Sequence, residues 1–338
     1  MTHESRAPYL LLTLAALALT CATARAQAAD PSQSMRTLMQ HRMEMSNRAV
    51  AETQRRRFEE GKSDTRFPSD ANKAEVKPGV VRAVSPEERK ALAHNERGLE
   101  YFAKGRIDQA VKEYDEAIRA YPLLAAAHNN LGSAYFAAAR FEEAAASFRR
   151  AAEIDPGYGQ AHFNLALAEL KLGREREADA ALQAAIRAYY TAGDEHFKAG
   201  RLKEAEESYR GMLQIDPEYA PALLRLGLVA NDARRFEEAA GYLRRAAARE
   251  PANPFAHEGL AEALYNLNRY EEAAASAERA LKLAPDSPDA HYFAGLARAS
   301  LGQRDAALAH LAGLKQLKSD AYAQLLSDFI DKRSPPGQ

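Results

Sequence analysis

Tryptophan is absent from these 338 residues and cysteine occurs once. The one cysteine, Cys21, lies in an N-terminal stretch expected to be removed, which excludes disulfides, thiol catalysis and cysteine metal sites from the mature chain. An excess of charge of one sign is also lacking. Lys and Arg number 46 against 47 Asp and Glu, so no long-range field draws the chain to nucleic acid or to an anionic membrane. There is no G-x-x-x-x-G-K-[ST] loop, no dinucleotide-binding glycine string and no G-x-S-x-G elbow. His257-Glu258-Gly259-Leu260-Ala261 begins like H-E-x-x-H, but Ala261 occupies the second ligand's place. No cofactor, no metal and no enzymatic reaction are expected.

Long apolar runs are nearly missing as well. The clearest spans Leu10 to Leu19, preceded by Arg6 and followed by Ala24-Arg25-Ala26. It is short for a bilayer span, which needs about 20 residues. It reads as a signal peptide over 1–26, cleaved after Ala26 or Ala28, and as an exported, periplasmic or secreted protein. The alternatives are an uncleaved membrane anchor, or a lipid on Cys21, although Ala18-Leu19-Thr20 fits a lipoprotein box poorly. Residues 27–85 are expected to be a partly helical, largely flexible segment: Met35, Leu38, Met39 and Met43 share helical spacing, and a Gly-, Pro- and Ser-containing linker follows. Arg55-Arg56-Arg57, surrounded by Glu52, Glu59 and Glu60, reads as a solvated face. Ser85-Pro86-Glu87-Glu88 then opens a helix, with a capping hydroxyl, proline in the first turn and acids at the positive end of the dipole.

What the chain has in abundance is itself. "LGSAYFAAARFEEAAASF" from Leu131 echoes "RGLEYFAKGRIDQAVKEY" from Arg97, and fainter copies begin at Arg225 and Leu260. Gly98, Gly132, Gly227 and Gly295 share one slot, with Ala110, Ala144, Ala239 and Ala307 twelve residues later. Prolines punctuate the units at 122, 156, 217, 251 and 285, and Gly98 to Gly132 is a step of 34 residues. In this pattern the chain resembles the tetratricopeptide repeat family, whose unit carries an aromatic at position 4, Leu at 7, Gly or Ala at 8, Tyr at 11, Ala at 20, an aromatic at 24, Ala at 27 and Pro at 32. The unit beginning at Ala125 matches closely, with Leu131, Gly132, Tyr135, Ala144, Phe148, Ala151 and Pro156. The same slots hold Gly193 and Ala205, Gly227 and Ala239, Ala261 and Ala273, and Gly295 and Ala307.

The resemblance implies an all-α solenoid of about seven helix pairs over 86–333, followed by a disordered tail at 334–338. Small residues at 8 and 20 let paired helices approach closely, a bulky residue at 24 fills the remaining gap, and proline ends the second helix. One pair cannot bury its apolar face alone, so pairs must stack. Tyr322, Leu325, Leu326 and Phe329 supply a capping helix. From Ala166 to Gly193 the step is only 27 residues and no proline intervenes. Seven residues are about two turns, so one helix near 175–199 is expected to serve two units and to join two blocks of the array.

The resemblance also places a peptide-binding groove on positions 2, 5, 6, 9, 12 and 13 of the first helices. Here those slots include Asn95, Phe102, Asn129, Asn130, Ser133, Phe136, Phe163, Asn164, Leu167 and Lys171. Further along they include Tyr190, Asp194, Phe197, Lys198, Leu224, Arg225, Asn231, Glu262, Tyr265, Asn266 and Tyr292. Rings offer contact area and amides can pair with a peptide backbone. The family's clamp for a chaperone's C-terminal carboxylate is not matched: of Asn95, Leu99, Asn130, Gln160 and Asn164, only Asn130 fits. His94, His128, His162, His257 and His291 all occupy position 4, whole units apart, which suits packing and not a shared metal. The expected function is a non-catalytic scaffold that holds a peptide or partner protein, with no nucleic-acid partner, in assembly of an envelope complex. A membrane-anchored structural lipoprotein and a polysaccharide-binding solenoid are the alternatives.

Overall fold

The computed structural model describes residues 85–332. The expected signal peptide, the Met-rich helix, the linker and the 334–338 tail lie outside them. Fourteen α-helices occur among the described residues: α1 (Pro86–Ala103), α2 (Ile107–Ala120), α3 (Ala125–Ala137), α4 (Phe141–Ile154), α5 (Gly159–Lys171), α6 (Glu175–Lys198), α7 (Leu202–Ile215), α8 (Ala220–Asp232), α9 (Phe236–Arg249), α10 (Pro254–Asn266), α11 (Tyr270–Leu283), α12 (Pro288–Ser300), α13 (Arg304–Gln316) and α14 (Asp320–Lys332). No strand occurs among these residues.

Each first helix lies against its second with almost no space between them. The alanines at 110, 144, 205, 239, 273 and 307 are wholly buried. Glycine is required on the facing helix: a Cβ on Gly132 would stand 2.7 Å from the Phe148 ring. In the same way Gly98 lies under Tyr114, Gly193 under Tyr209 and Gly227 under Leu243. In the sixth unit, Ala261 has a Cβ and the facing position 24 is Ala277, both fully buried. Over Gly295 the filler comes from elsewhere, Leu326 of the capping helix α14. That helix buries Ala323, Leu326 and Ile330, while Leu325, expected on the packed side, is 54% exposed.

The turn between paired helices is the same each time. Residues 105, 139, 173, 200, 234, 268 and 302 all adopt a left-handed backbone, with φ between 58° and 75°. The next residue's N–H returns to a carbonyl five residues back, as in Arg140 N–H to Tyr135 O at 2.9 Å and Arg235 N–H to Ala230 O at 2.8 Å. This is the Schellman arrangement that satisfies a helix's last carbonyls. Glycine takes the left-handed place at 105, 173, 200 and 302, and Asn268 tolerates it, but Ala139 and Arg234 are held there against their preference.

The shortened step is resolved as expected. α6 runs unbroken for 24 residues, about 36 Å at roughly 1.5 Å per residue. Its first half packs on α5 and its second half places Gly193 beneath Tyr209. Tyr189 occupies the join: its ring covers both Gly159 and Gly211, and its hydroxyl donates to Gln160 Oε1 at 3.1 Å.

The recurring histidines lock loops. Nε2 of His128, His162, His257 and His291 lies 3.0–3.2 Å from the carbonyl oxygen of the proline six residues earlier. His291 also meets His310, their Nδ1 atoms 3.2 Å apart.

Ala139→Gly should stabilise the chain by about 0.5–1 kcal/mol by removing the left-handed penalty. Denaturant unfolding measures it, and a loss of stability would show that the turn does not hold Ala139 under strain.

Candidate functional site

α1 touches α3, α3 touches α5, α8 touches α10, α10 touches α12, and α12 touches α14. The second helices make no comparable contacts with one another among the described residues. On either side of the long α6 the first helices therefore stand closer together and form the inner layer of the stack. The expected groove residues all belong to this layer, but they divide into two groups with different roles.

In the N-terminal units the amides are used internally. Asn130 Nδ2 donates to Asn95 Oδ1, and Asn164 Nδ2 donates to Asn129 Oδ1, each at 2.9 Å. Gln160 Nε2 donates to Asn164 Oδ1 at 2.8 Å. Position 5 of one unit thus accepts from position 6 of the next, 35 residues on. Asn95, Asn129 and Phe163 are buried, at 0%, 5% and 4% exposure. This corrects the expectation for these three and for Leu167, 6% exposed: they offer a ligand no surface, and Asn95 and Asn129 instead hold neighbouring first helices together. Asn130 and Asn164, half-buried, are tied into the same ladder. Ser133 Oγ donates to Asn129 O at 3.0 Å, within its own helix. Phe102 and Phe136 remain half-exposed, the latter edge-on to Phe141 at 5.1 Å, and Lys171 is exposed.

The ladder continues through the middle in charged form. Arg225 donates from Nη2 to the Tyr190 hydroxyl at 2.5 Å and its Nε lies 3.3 Å from Asp194 Oδ1. The Tyr209 hydroxyl donates to Asp194 at 2.5 Å. Burial, then this bond to Asp194, pushes the Tyr209 hydroxyl pKa well up. Phe197 is half-buried and Lys198 exposed at the end of α6.

Beyond α8 the character changes to acid and ring. Asn231, expected to face a ligand, is 4% exposed, and its Nδ2 donates to Gly259 O at 2.9 Å and to Glu262 Oε2 at 3.0 Å. Burial raises the Glu262 pKa, and the charges of Asp232 and Asp289 raise it further, against the lowering bond from Asn231. Burial also raises Asp232. Tyr292 stacks on Tyr322 at 4.8 Å, and Tyr265 lies 6.3 Å from Phe293. The Tyr322 hydroxyl donates to Asp289 Oδ1 at 2.6 Å, which with burial takes its pKa to about 12. Asn266 is exposed and its Nδ2 donates to Glu262 O of its own helix at 2.9 Å. Asp232, Asp289, Phe293 and the 62%-exposed Phe255 were missed as site residues, although all stand at register positions 13, 2, 6 and 2 of the same groove pattern.

Three family models, each described as a tetratricopeptide repeat, match the sequence over 95–159 with 190–256, over 159–188 and over 254–287. No curated protein shows significant sequence similarity to the chain. Among solved structures, the Cut9–Hcn1 hetero-tetramer of the APC/C is 18% identical with a TM-score of 0.40, covering 70% of this chain and 48% of that one, so the chain spans about half its length. YrrB, a repeat protein with an unusual peptide-binding site, is 19% identical, with 64% and 97% covered and a TM-score of 0.38. PilF of Pseudomonas aeruginosa is 21% identical, with 60% and 96% covered and a TM-score of 0.39.

Glu262 bears a proton more readily in the folded chain than in the unfolded one, so its charge takes stability away as pH rises through its folded pKa. Glu262→Gln, which keeps an acceptor for Asn231, should raise the melting temperature at pH 8 and leave it nearly unchanged at pH 4. A fall at pH 8 would mean that the carboxylate stabilises the fold.

Proposed function

Because the chain belongs to the tetratricopeptide repeat family, we propose that it is a non-catalytic scaffold holding a peptide or partner protein along the inner layer of its first helices. The observation that carries this reading is the set of half-exposed rings on that layer, Phe102, Phe136, Tyr190, Tyr265 and Tyr292, next to side chains already fixed by inter-unit hydrogen bonds. A surface held in place before binding loses less entropy when a ligand docks. Aromatic groups on a rigid support give contact area at low conformational cost.

We further infer that the scaffold is exported and serves assembly of an envelope complex. Arg6, the apolar run from Leu10 to Leu19 and Ala24-Arg25-Ala26 support export. The N-terminus of protein recovered from the envelope fraction is expected at Gln27 or Ala29, and recovery of that protein with residues 1–26 still attached would contradict cleavage.

A photoreactive residue placed at Phe136 or Tyr265 should capture a partner that one at the exposed outer residues Arg150 or Arg279 does not, as read by mass spectrometry. Equal capture from both sets would remove the inner layer as the binding face.

A further inference from the structure

We propose that the last helix pair is an acid-sensitive end of the array: protonation of the facing histidines His291 and His310 loosens α13 and α14 from α12 while interior units stay packed.

The pair is peculiar to this unit. Nineteen residues after the position-4 histidines stand Glu113, Ser147, Ala181, Ser276 and His310. His94 thus meets a carboxylate, Glu113 Oε2 at 2.8 Å, and His128, His162 and His257 have an uncharged residue at that place. In the last unit the place holds a second imidazole, with the two Nδ1 atoms 3.2 Å apart and the ring centres at 5.5 Å. Two nitrogens at that distance share a hydrogen bond when one carries a hydrogen and the other a lone pair, so at least one of the rings is neutral. Once both rings are charged, each Nδ1 bears a hydrogen and like charges meet at contact distance.

The rings have little room to part. Pro285 O lies 3.2 Å from Nε2 of His291, and a Cβ on Gly313 would stand 2.6 Å from its Cε1, so the ring rests directly on the α13 backbone. His310 is half-buried. The charges that act on it come from α11 and α12: Glu278 favours its protonated form, and His291 and Arg298 oppose it. Glu278 is already engaged with Arg298. Among the described residues α14 contributes no such charge. Burial, then His291, holds the His310 pKa below the ordinary imidazole value. His310 therefore binds its proton less readily in the folded chain than in the unfolded one. Stability is intact above the unfolded value of about 6.5 and is lost as pH falls below it.

Position in the array decides which part yields. α14 packs on α12 and α13, and no helix follows it among the described residues. Segments with fewer neighbours open at lower cost than those packed on both sides. Here α14 makes the last contacts: Leu326 covers Gly295, and Tyr322 stacks on Tyr292 and donates to Asp289. Release of α14 in acid uncovers Gly295 and removes Tyr322 from the inner layer, so the surface at this end changes with pH. Burial lowers the His128 pKa as well, but that histidine lies in the second unit, with a unit on either side.

The test is hydrogen exchange of the full chain, read by mass spectrometry at pH 7.5 and 5.5 and corrected for the intrinsic effect of pH on exchange. It compares the parent with His310→Ser, which introduces the residue type found at 147 and 276. Circular dichroism checks that both stay helical. In the parent, protection of 304–332 should fall on the order of fivefold in acid. Protection of 202–249, a stretch without histidine, should fall much less. In His310→Ser the extra loss at 304–332 should disappear. A loss that persists in His310→Ser, an equal loss over 202–249, or unchanged protection of 304–332 in the parent would each overturn the inference.

Discussion

The absent Cβ at Gly132 and its equivalents determines how the rest of the molecule is built. With hydrogen in place of a methyl group, the ring of Phe148 lies directly on the first helix, and Ala144 closes the contact from the other side. Close-packed interiors do not absorb an extra carbon without moving something, so the spacing of each pair is set tightly. The exceptions follow the same rule. Ala261 faces a small residue, Ala277, and Gly295 is covered by Leu326 of the capping helix.

Setting the pair spacing sets the surface. First helices of adjacent units come close enough for Asn95 to meet Asn130 and for Tyr190 to meet Arg225 across a unit boundary. The same proximity brings Asp232, Glu262 and Asp289 near one another, where their charges oppose one another. A repeat array therefore converts one local packing solution into a long row of juxtaposed side chains. In the first units that row is consumed by stability. In the last units its charges work against the fold.

The fold was legible because its signal is redundant: Gly98, Gly132, Gly193, Gly227 and Gly295 repeat one steric demand, and the missing seven residues before Gly193 announced α6. The site was less legible. Sequence position told which helix face Asn129 and Asn231 occupy but not that neighbouring side chains would bury them, since burial depends on the residue one unit away. Asp289 and Phe255 stood at groove positions in plain sight. They were overlooked because each opens its helix, where an acid or a residue beside proline reads first as a helix start. The histidines kept their packing role, and the structure adds a specific partner, the carbonyl of the preceding proline. The Schellman turn left a mark in Gly-Arg at 105–106, 173–174 and 200–201 that Ala139 and Arg234 disguise.

The most direct measurement of the central claim is a double-mutant cycle of Gly132→Ala and Phe148→Ala, with stabilities from denaturant unfolding. If the missing Cβ exists to admit the ring, the methyl group should cost far less once the ring is gone, giving a coupling of about 1–3 kcal/mol. The natural pair Ala261 and Ala277 already shows the doubly substituted contact in place. Additive effects, within about 0.3–0.5 kcal/mol, would contradict the claim.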